Sequence, residues 1–182
     1  MIEPKAVAVF GSSQTRRGSG EWAEAEDAGR RIAGAGLGVV TGGYGGTMEA
    51  ASLGAARAGG QVIGVTAPSL FAQRSGANPH VTREIKAVTL TERIEILTNL
   101  AAGALVLPGS IGTAAELMIA WNINHIMRRS GGQRLPTVAV GSVWRELCDL
   151  LVIAAGATGE DIHLAHDGDE ALTWLLSQPE LN

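Results

Sequence analysis

Short apolar runs alternate with longer stretches of helical spacing from one end of the chain to the other. Lys5–Phe10 (KAVAVF), Leu37–Thr41 (LGVVT), Gln61–Val65 (QVIGV), Ile85–Thr89, Ala104–Leu107 and Leu135–Val140 (LPTVAV) are the apolar runs. Apolarity on both faces suits central strands of a parallel sheet. Between them, Gly20–Ala35 sets Trp22, Ala25, Ala28, Ile32 and Ala35 on one helical face. Gly46–Ala58, Leu90–Gly103, Thr113–Met127, Val143–Ala155 and Asp169–Leu176 read as further helices, with a short last strand at Ile162–Ala165. Arg128–Gln133 reads as a flexible connection. This alternation predicts parallel crossovers and an α/β fold. Residues 1–182 are expected to form a single-domain, Rossmann-like, doubly wound and mainly parallel sheet flanked by helices. Ligands bind such sheets at the carboxyl ends of the strands. Thr66–Arg83 has little periodicity and two prolines, Pro68 and Pro79. So long a connection is functional or mobile, and Thr66–Asn78 is expected to contribute to selectivity.

Composition narrows the function. The chain has 182 residues, 46% hydrophobic and 18% charged, which is a globular balance. A net charge of −4 and 4% aromatic residues argue against nucleic-acid binding by counterion release or base stacking. The lone Cys148 leaves no disulfide framework or cysteine metal cluster, and its helical apolar setting reads as a buried small hydrophobe. No apolar stretch reaches membrane-span length, and the start shows no signal-peptide pattern. A soluble cytoplasmic protein without membrane partners is expected. His80, His125, His163 and His166 lack a ligand spacing on one helix, so no metal is implied; His125 is expected to be structural or at an interface.

Three loops at expected strand ends carry the candidate chemistry. Gly11-Ser12-Ser13 offers small residues and two hydroxyls, suited to phosphate or ribose, or simply a strand-to-helix turn. Gly42-Gly43-Tyr44-Gly45-Gly46 opens a helix, and its glycines leave backbone N–H groups able to face an anion. It is neither a dinucleotide fingerprint nor a P-loop. Pro108-Gly109-Ser110-Ile111-Gly112-Thr113-Ala114-Ala115-Glu116 is the third. Gly109 and Gly112 allow close approach, and Thr113 is placed as an N-cap or a hydroxyl donor to phosphate. Glu116, three residues on, also has capping-box spacing. Spacing alone does not choose between a cap and a catalytic carboxylate.

Pro108–Glu116 together with Thr91-Glu92-Arg93 resembles the LOG family of cytokinin-activating nucleotide phosphoribohydrolases, once labelled lysine decarboxylases. The family carries a Pro-Gly-Gly-x-Gly-Thr-x-x-Glu motif and an upstream Arg, usually Arg-Lys. Arg93 lies 23 residues before Glu116, the separation expected between those two. The glycine-rich second loop and Gly11-Ser12-Ser13 also match in place. The chain departs from the pattern at Ser110, at Ile94 in place of the Lys, at Ala115, and at Leu90-Thr91-Glu92 before the Arg. A pyridoxal enzyme needs a Schiff-base lysine; Lys5 and Lys86, at strand starts, do not offer one.

The resemblance implies a hydrolase acting on N-glycosyl bonds, releasing free base and ribose 5-phosphate from a nucleoside 5′-monophosphate without a cofactor. Glu116 would stabilise an oxocarbenium-like state or activate water, and Arg93 would orient the ligand or Glu116 by a charge-assisted, bidentate-capable contact. Pro108, Gly109, Ser110, Gly112 and Thr113 would hold the phosphate. Gly11, Ser12, Ser13, Gly42, Gly43, Gly45 and Gly46 would line the rest. The alternative is a carrier or sensor of a phosphorylated ligand, such as a nucleotide or the molybdenum cofactor, with no turnover. The resemblance also implies a homodimer, for which the flank Leu117, Trp121, Asn124 and Arg128 is the candidate surface; its competing reading is a helix packed on its own sheet.

Overall fold

The computed structural model describes residues 5–74 and 76–181. Its seven strands form one sheet in the order β4-β3-β2-β1-β5-β6-β7, and every pairing is parallel. The strands are β1 (Ala6–Phe10), β2 (Gly38–Thr41), β3 (Val62–Thr66), β4 (Arg83–Lys86), β5 (Ala101–Val106), β6 (Thr137–Val140) and β7 (His163–Ala165). Helices α1 (Gly20–Gly34), α2 (Thr47–Arg57), α3 (Leu90–Leu100), α4 (Ile111–Ser130), α5 (Ser142–Ala155) and α6 (Gly168–Leu176) connect or close them. From β1 the chain builds outward to β4, then returns past β1 to lay down β5 and continue the other way. The β1/β5 seam is therefore the topological switch point, where open α/β sheets form ligand crevices.

Alternating side chains on each strand feed two separate cores. Val7, Val9, Val39, Val62, Leu105 and Val138 pack beneath α1, α2 and α6 with Trp22, Ile32 and Leu172. Ala8, Phe10, Val40, Ile63, Val106 and Ala139 face Leu97, Leu117, Trp121, Trp144 and Cys148 on the other side. Cys148 is 3% exposed, and burial pushes its thiol up to about 11, so it behaves as an apolar filler.

The larger departures from the sequence reading each have a physical reason. The fourth strand is Arg83–Lys86, not Ile85–Thr89: it is a charged edge strand paired with Ile63–Thr66, and apolar patterning does not mark such edges. Thr89 instead caps α3, its hydroxyl accepting the Glu92 N–H at 3.1 Å, while the Glu92 carboxylate accepts the Val88 N–H at 2.7 Å. Helix α3 stops at Leu100, and Ala101–Gly103 enters β5, because pairing of Ala6 with Ala101 and Val7 with Gly103 overrides the helix propensity of alanine. Helix α4 begins at Ile111 after an N-cap at Ser110 and runs on to Ser130, where Gly131 (φ 71°) ends it. Arg128 and Arg129 are thus helical, not part of a flexible link.

Candidate functional site

A cavity of about 170 Å³ opens at the β1/β5 switch point. The end of β1 gives it Val9, Phe10, Gly11 and Ser13; the β2 end gives Gly42; α2 gives Met48; α3 gives Arg93; the start of α4 gives Ser110, Gly112, Thr113 and Glu116. Phe71 and Arg74 reach in from the β3–β4 connection. Ligand pockets run to roughly 300–1,000 Å³, so this cavity suits the sugar-phosphate end of a ligand and not a whole nucleotide.

Glu116 faces this space without a capping duty. Because α4 starts at Ile111, Thr113 lies inside the first turn and is not the N-cap, and Glu116 lies a turn beyond capping reach. That removes the capping-box reading. The Glu116 side chain is 11% exposed, and no protein hydrogen bond to it is among those of the described residues. Burial drives its carboxyl up to about 7; the nearby Arg93 charge opposes that rise without cancelling it.

Arg93 comes from α3 and is itself 6% exposed. Its Nε donates to the Val65 carbonyl at 2.8 Å and its Nη2 to the Gly42 carbonyl at 3.0 Å. Both acceptors sit at ends of the sheet strands, so the guanidinium is fixed by backbone. Its Nη1 lies 3.7 Å from Glu116 Oε1, an ion pair too long for a hydrogen bond. The bidentate contact considered from the sequence is therefore absent; two of the fork's nitrogens serve carbonyls instead. Burial lowers the Arg93 pKa, Glu116 works against this, and Arg74 adds to it.

Gly42 makes this arrangement possible. A Cβ there would lie 1.7 Å from Arg93 Nη2 and 2.7 Å from Met48 Sδ. Gly112 is the opposite case: a Cβ would meet nothing within 4 Å, so it borders open space. Gly109 packs on Thr113, where a Cβ would sit 2.2 Å from Oγ1.

Of the residues singled out by sequence, Gly11, Ser13, Gly42, Arg93, Ser110, Gly112, Thr113 and Glu116 meet around one cavity, while Ser12, Gly43, Gly45, Gly46, Pro108 and Gly109 are not among its lining. Ser12 turns its hydroxyl to the Gln14 N–H at 3.0 Å, and its carbonyl accepts the Thr47 N–H at 2.9 Å. The first turn of α2 is thus tied to the β1–α1 loop. The Gly43 carbonyl accepts from Asn78, at 2.7 Å from the backbone N–H and 3.2 Å from the side chain. Much of the second glycine loop is spent on these close internal approaches.

Sequence reasoning missed Phe71 and Arg74 as individuals, although it marked their segment. The signal available was one arginine and one aromatic between Pro68 and Pro79. Elsewhere, a larger cavity of about 320 Å³ lies at the amino ends of β6 and β7, among Arg134, Thr137, Asp161, His163 and Trp174. Asp161 there is structural: Arg128 Nε donates to it at 2.8 Å and Thr158 Oγ1 at 2.7 Å, and His125 Nδ1 lies at 3.2 Å. Burial pushes its carboxyl up, and the bonds from Thr158, Arg128 and His125 outweigh that and lower it. The flank considered for dimerisation is engaged within the chain. Leu117, Trp121 and Asn124 are buried, Asn124 Nδ2 donates to the carbonyls of Leu135 (2.8 Å) and Asp161 (3.0 Å), and Arg128 holds Asp161.

Fold and cavity together define a Rossmann-like α/β protein with a small-ligand cavity at its switch point. Residues 4–131 match the SLOG cluster4 family, a LOG-like family, and the chain belongs to it. It is 32% identical over 124 residues to a cytokinin riboside 5′-monophosphate phosphoribohydrolase of Rhodococcoides fascians, covering 68% of this chain and 63% of that protein. It is 35% identical over 103 residues to a protein of the same name from Mycobacterium tuberculosis, covering 56% and 54%. The matches thus span less than two thirds of either relative. The molybdenum cofactor binding protein of Rippkaea orientalis has the same fold, with a TM-score of 0.73, 20% identity and 96% of each chain covered. No helix among the described residues is long and apolar enough to cross a membrane.

Proposed function

We propose that the protein is a cytoplasmic nucleoside 5′-monophosphate phosphoribohydrolase. One observation carries this reading: a carboxylate with no cap or protein hydrogen bond to satisfy, Glu116, is buried beside a fixed arginine in the switch-point cavity. In a binding protein for an anionic ligand the same carboxylate would only offset the Arg93 charge. A glycosidic-bond hydrolase gains from it directly, because its transition state places positive charge on the sugar ring.

In this reading the 5′-phosphate docks at Ser110, Gly112 and Thr113, where the first turn of α4 presents unpaired N–H groups and the positive end of its dipole. Ionised Glu116 faces the anomeric carbon. Water adds to that carbon and gives one proton to the Glu116 carboxylate as the bond to the base nitrogen breaks; the bonding pair leaves with the base, which takes a proton from solvent, and Glu116 returns its proton to solvent. The products are free base and ribose 5-phosphate. Arg93 acts through Glu116 as a positioning residue: its carbonyl bonds fix it, and its charge keeps part of the carboxylate ionised near neutrality.

The names of the two curated relatives support this chemistry; the fold of the molybdenum cofactor binding protein keeps a non-catalytic carrier as the competing outcome. A panel of nucleoside 5′-monophosphates, AMP included, separates them. Release of free base with equimolar ribose 5-phosphate upholds the hydrolase. Saturable binding across the panel with no base released establishes a carrier.

A homodimer is also proposed, through a face different from the flank named above. Ile119 and Ile126 on α4 and Leu150 and Ile153 on α5, which are 37%, 50%, 59% and 84% exposed, are the apolar side chains it would cover. Sedimentation at the mass of one chain would refute it.

A further inference from the structure

Arg74 carries a charge that no carboxylate among the described residues answers. Its guanidinium carbon lies 4.6 Å from the centroid of the Tyr44 ring and 4.7 Å from that of Phe71, two rings that meet edge to face at 5.4 Å. Tyr44 is 4% exposed, and its hydroxyl accepts the Ala67 N–H at 2.8 Å. Asn78, further along the same segment, is bonded to the carbonyls of Gly43 and Tyr44. The segment is therefore anchored on both sides of the tip that carries Phe71 and Arg74, and that tip lines the cavity.

The only side-chain hydrogen bond of Arg74 among the described residues goes to Ser13 Oγ, and it is long, at 3.4 Å. No carboxylate of the described residues is ion-paired with it, whereas Arg17, Arg30, Arg31, Arg57, Arg128 and Arg134 each have one. Aromatic faces position a guanidinium but do not neutralise it. Arg93 lies over the same Tyr44 ring, at 5.8 Å. Both guanidinium groups line one small cavity, and Glu116 is the single carboxylate among its described lining residues. The α4 N-terminus adds roughly half a positive charge. The cavity is net positive whether Glu116 is ionised or protonated. An uncharged nucleoside leaves that excess standing; a phosphomonoester dianion cancels it.

We infer that Arg74 is a ligand-contacting residue that makes the site select a phosphomonoester over the matching uncharged nucleoside. The inference builds on the nucleotide reading but concerns a residue outside the 108–116 segment. Arg74 is half-buried on a loop, so its replacement leaves both cores intact.

The experiment compares wild type, Arg74→Lys and Arg74→Ala by calorimetry with AMP and with adenosine, and by thermal melting with inorganic phosphate. Loss of a charge-assisted contact predicts AMP binding about 10–100-fold weaker in Arg74→Ala, adenosine binding changed less than about twofold, and Arg74→Lys in between. Phosphate should raise the melting temperature of wild type but not of Arg74→Ala. Equal losses for AMP and adenosine would reduce Arg74 to packing and overturn the inference, as would unchanged AMP binding. If wild type binds neither nucleotide nor nucleoside, the phosphate arm decides alone. Stabilisation that depends on Arg74 keeps the inference while AMP falls as the ligand; stabilisation indifferent to Arg74, or none, overturns the inference.

Discussion

Replacing Glu116 by glutamine keeps the shape of the side chain and removes its titration, which turns the burial of this group into a measurable free energy. In the folded protein the carboxyl is pushed from 4.5 to about 7, mainly by desolvation. Because the folded pKa is raised, the native state holds more protons than the unfolded chain between those two values, and stability falls as pH rises through that window. At ~1.4 kcal/mol per pH unit, the ionised group costs the fold about 3 kcal/mol by pH 8 and little at pH 4. Glutamine escapes this cost. Urea unfolding of wild type and Glu116→Gln should therefore show the variant gaining about 2–3 kcal/mol on wild type between pH 5 and pH 8. For a chain of this size that is a melting-temperature gain of roughly 4–12 °C at the upper pH. A stability difference that is the same at both pH values would show that Glu116 is not held in a proton-perturbed state, and the electrostatic account of the site would fall with it.

Other outcomes follow from the same geometry. If ionised Glu116 is the working form, kcat/KM for base release rises with pH through about 7 and then levels off; a profile that falls across that range would assign the opposite protonation state. Arg93 holds the Glu116 pKa down, so in Arg93→Ala the same limb should move to higher pH, and an unmoved limb would exclude the positioning role. Gly42→Ala places a methyl 1.7 Å from Arg93 Nη2; it should cost about 1–3 kcal/mol of stability and impair turnover beyond that, and wild-type turnover would show that the placement of Arg93 does not matter. Asp161→Ala strips a buried carboxylate from Arg128, Thr158 and His125, so stability should drop by about 1–3 kcal/mol while activity per folded molecule is retained; a selective loss of activity would move the functional centre to the other edge of the sheet.

The central strands and the outline of the site were legible because they obey local rules. β1, β2, β3 and β6 are short apolar runs, and α1 and α6 carry clean amphipathic faces. β4 was misplaced because an edge strand needs no apolar pattern, and the end of α3 because Ala101–Gly103 is helix-prone sequence claimed by sheet pairing. In the 108–116 segment the residues were legible but the phase was not. Moving the cap from Thr113 to Ser110 separates Glu116 from its structural alternative, and no spacing argument alone makes that choice. The second loop shows the reverse limit. Its glycines looked like an anion nest, whereas Gly42 and Gly43 make room for Arg93 and for the Gly64 and Thr66 region of β3, contacts set by residues more than twenty positions away. Arg74 was illegible for the same reason: its meaning comes from Tyr44, Phe71 and Ser13, which only the tertiary fold brings to it.

The central claim is that Glu116 performs chemistry in this cavity. The most direct measurement is single-turnover release of free base from the best nucleoside 5′-monophosphate of the panel, by wild type and by Glu116→Gln, at saturating protein. Glu116→Gln should retain nucleotide binding and release base about 10²–10⁴-fold more slowly. Unchanged release by Glu116→Gln would contradict that role.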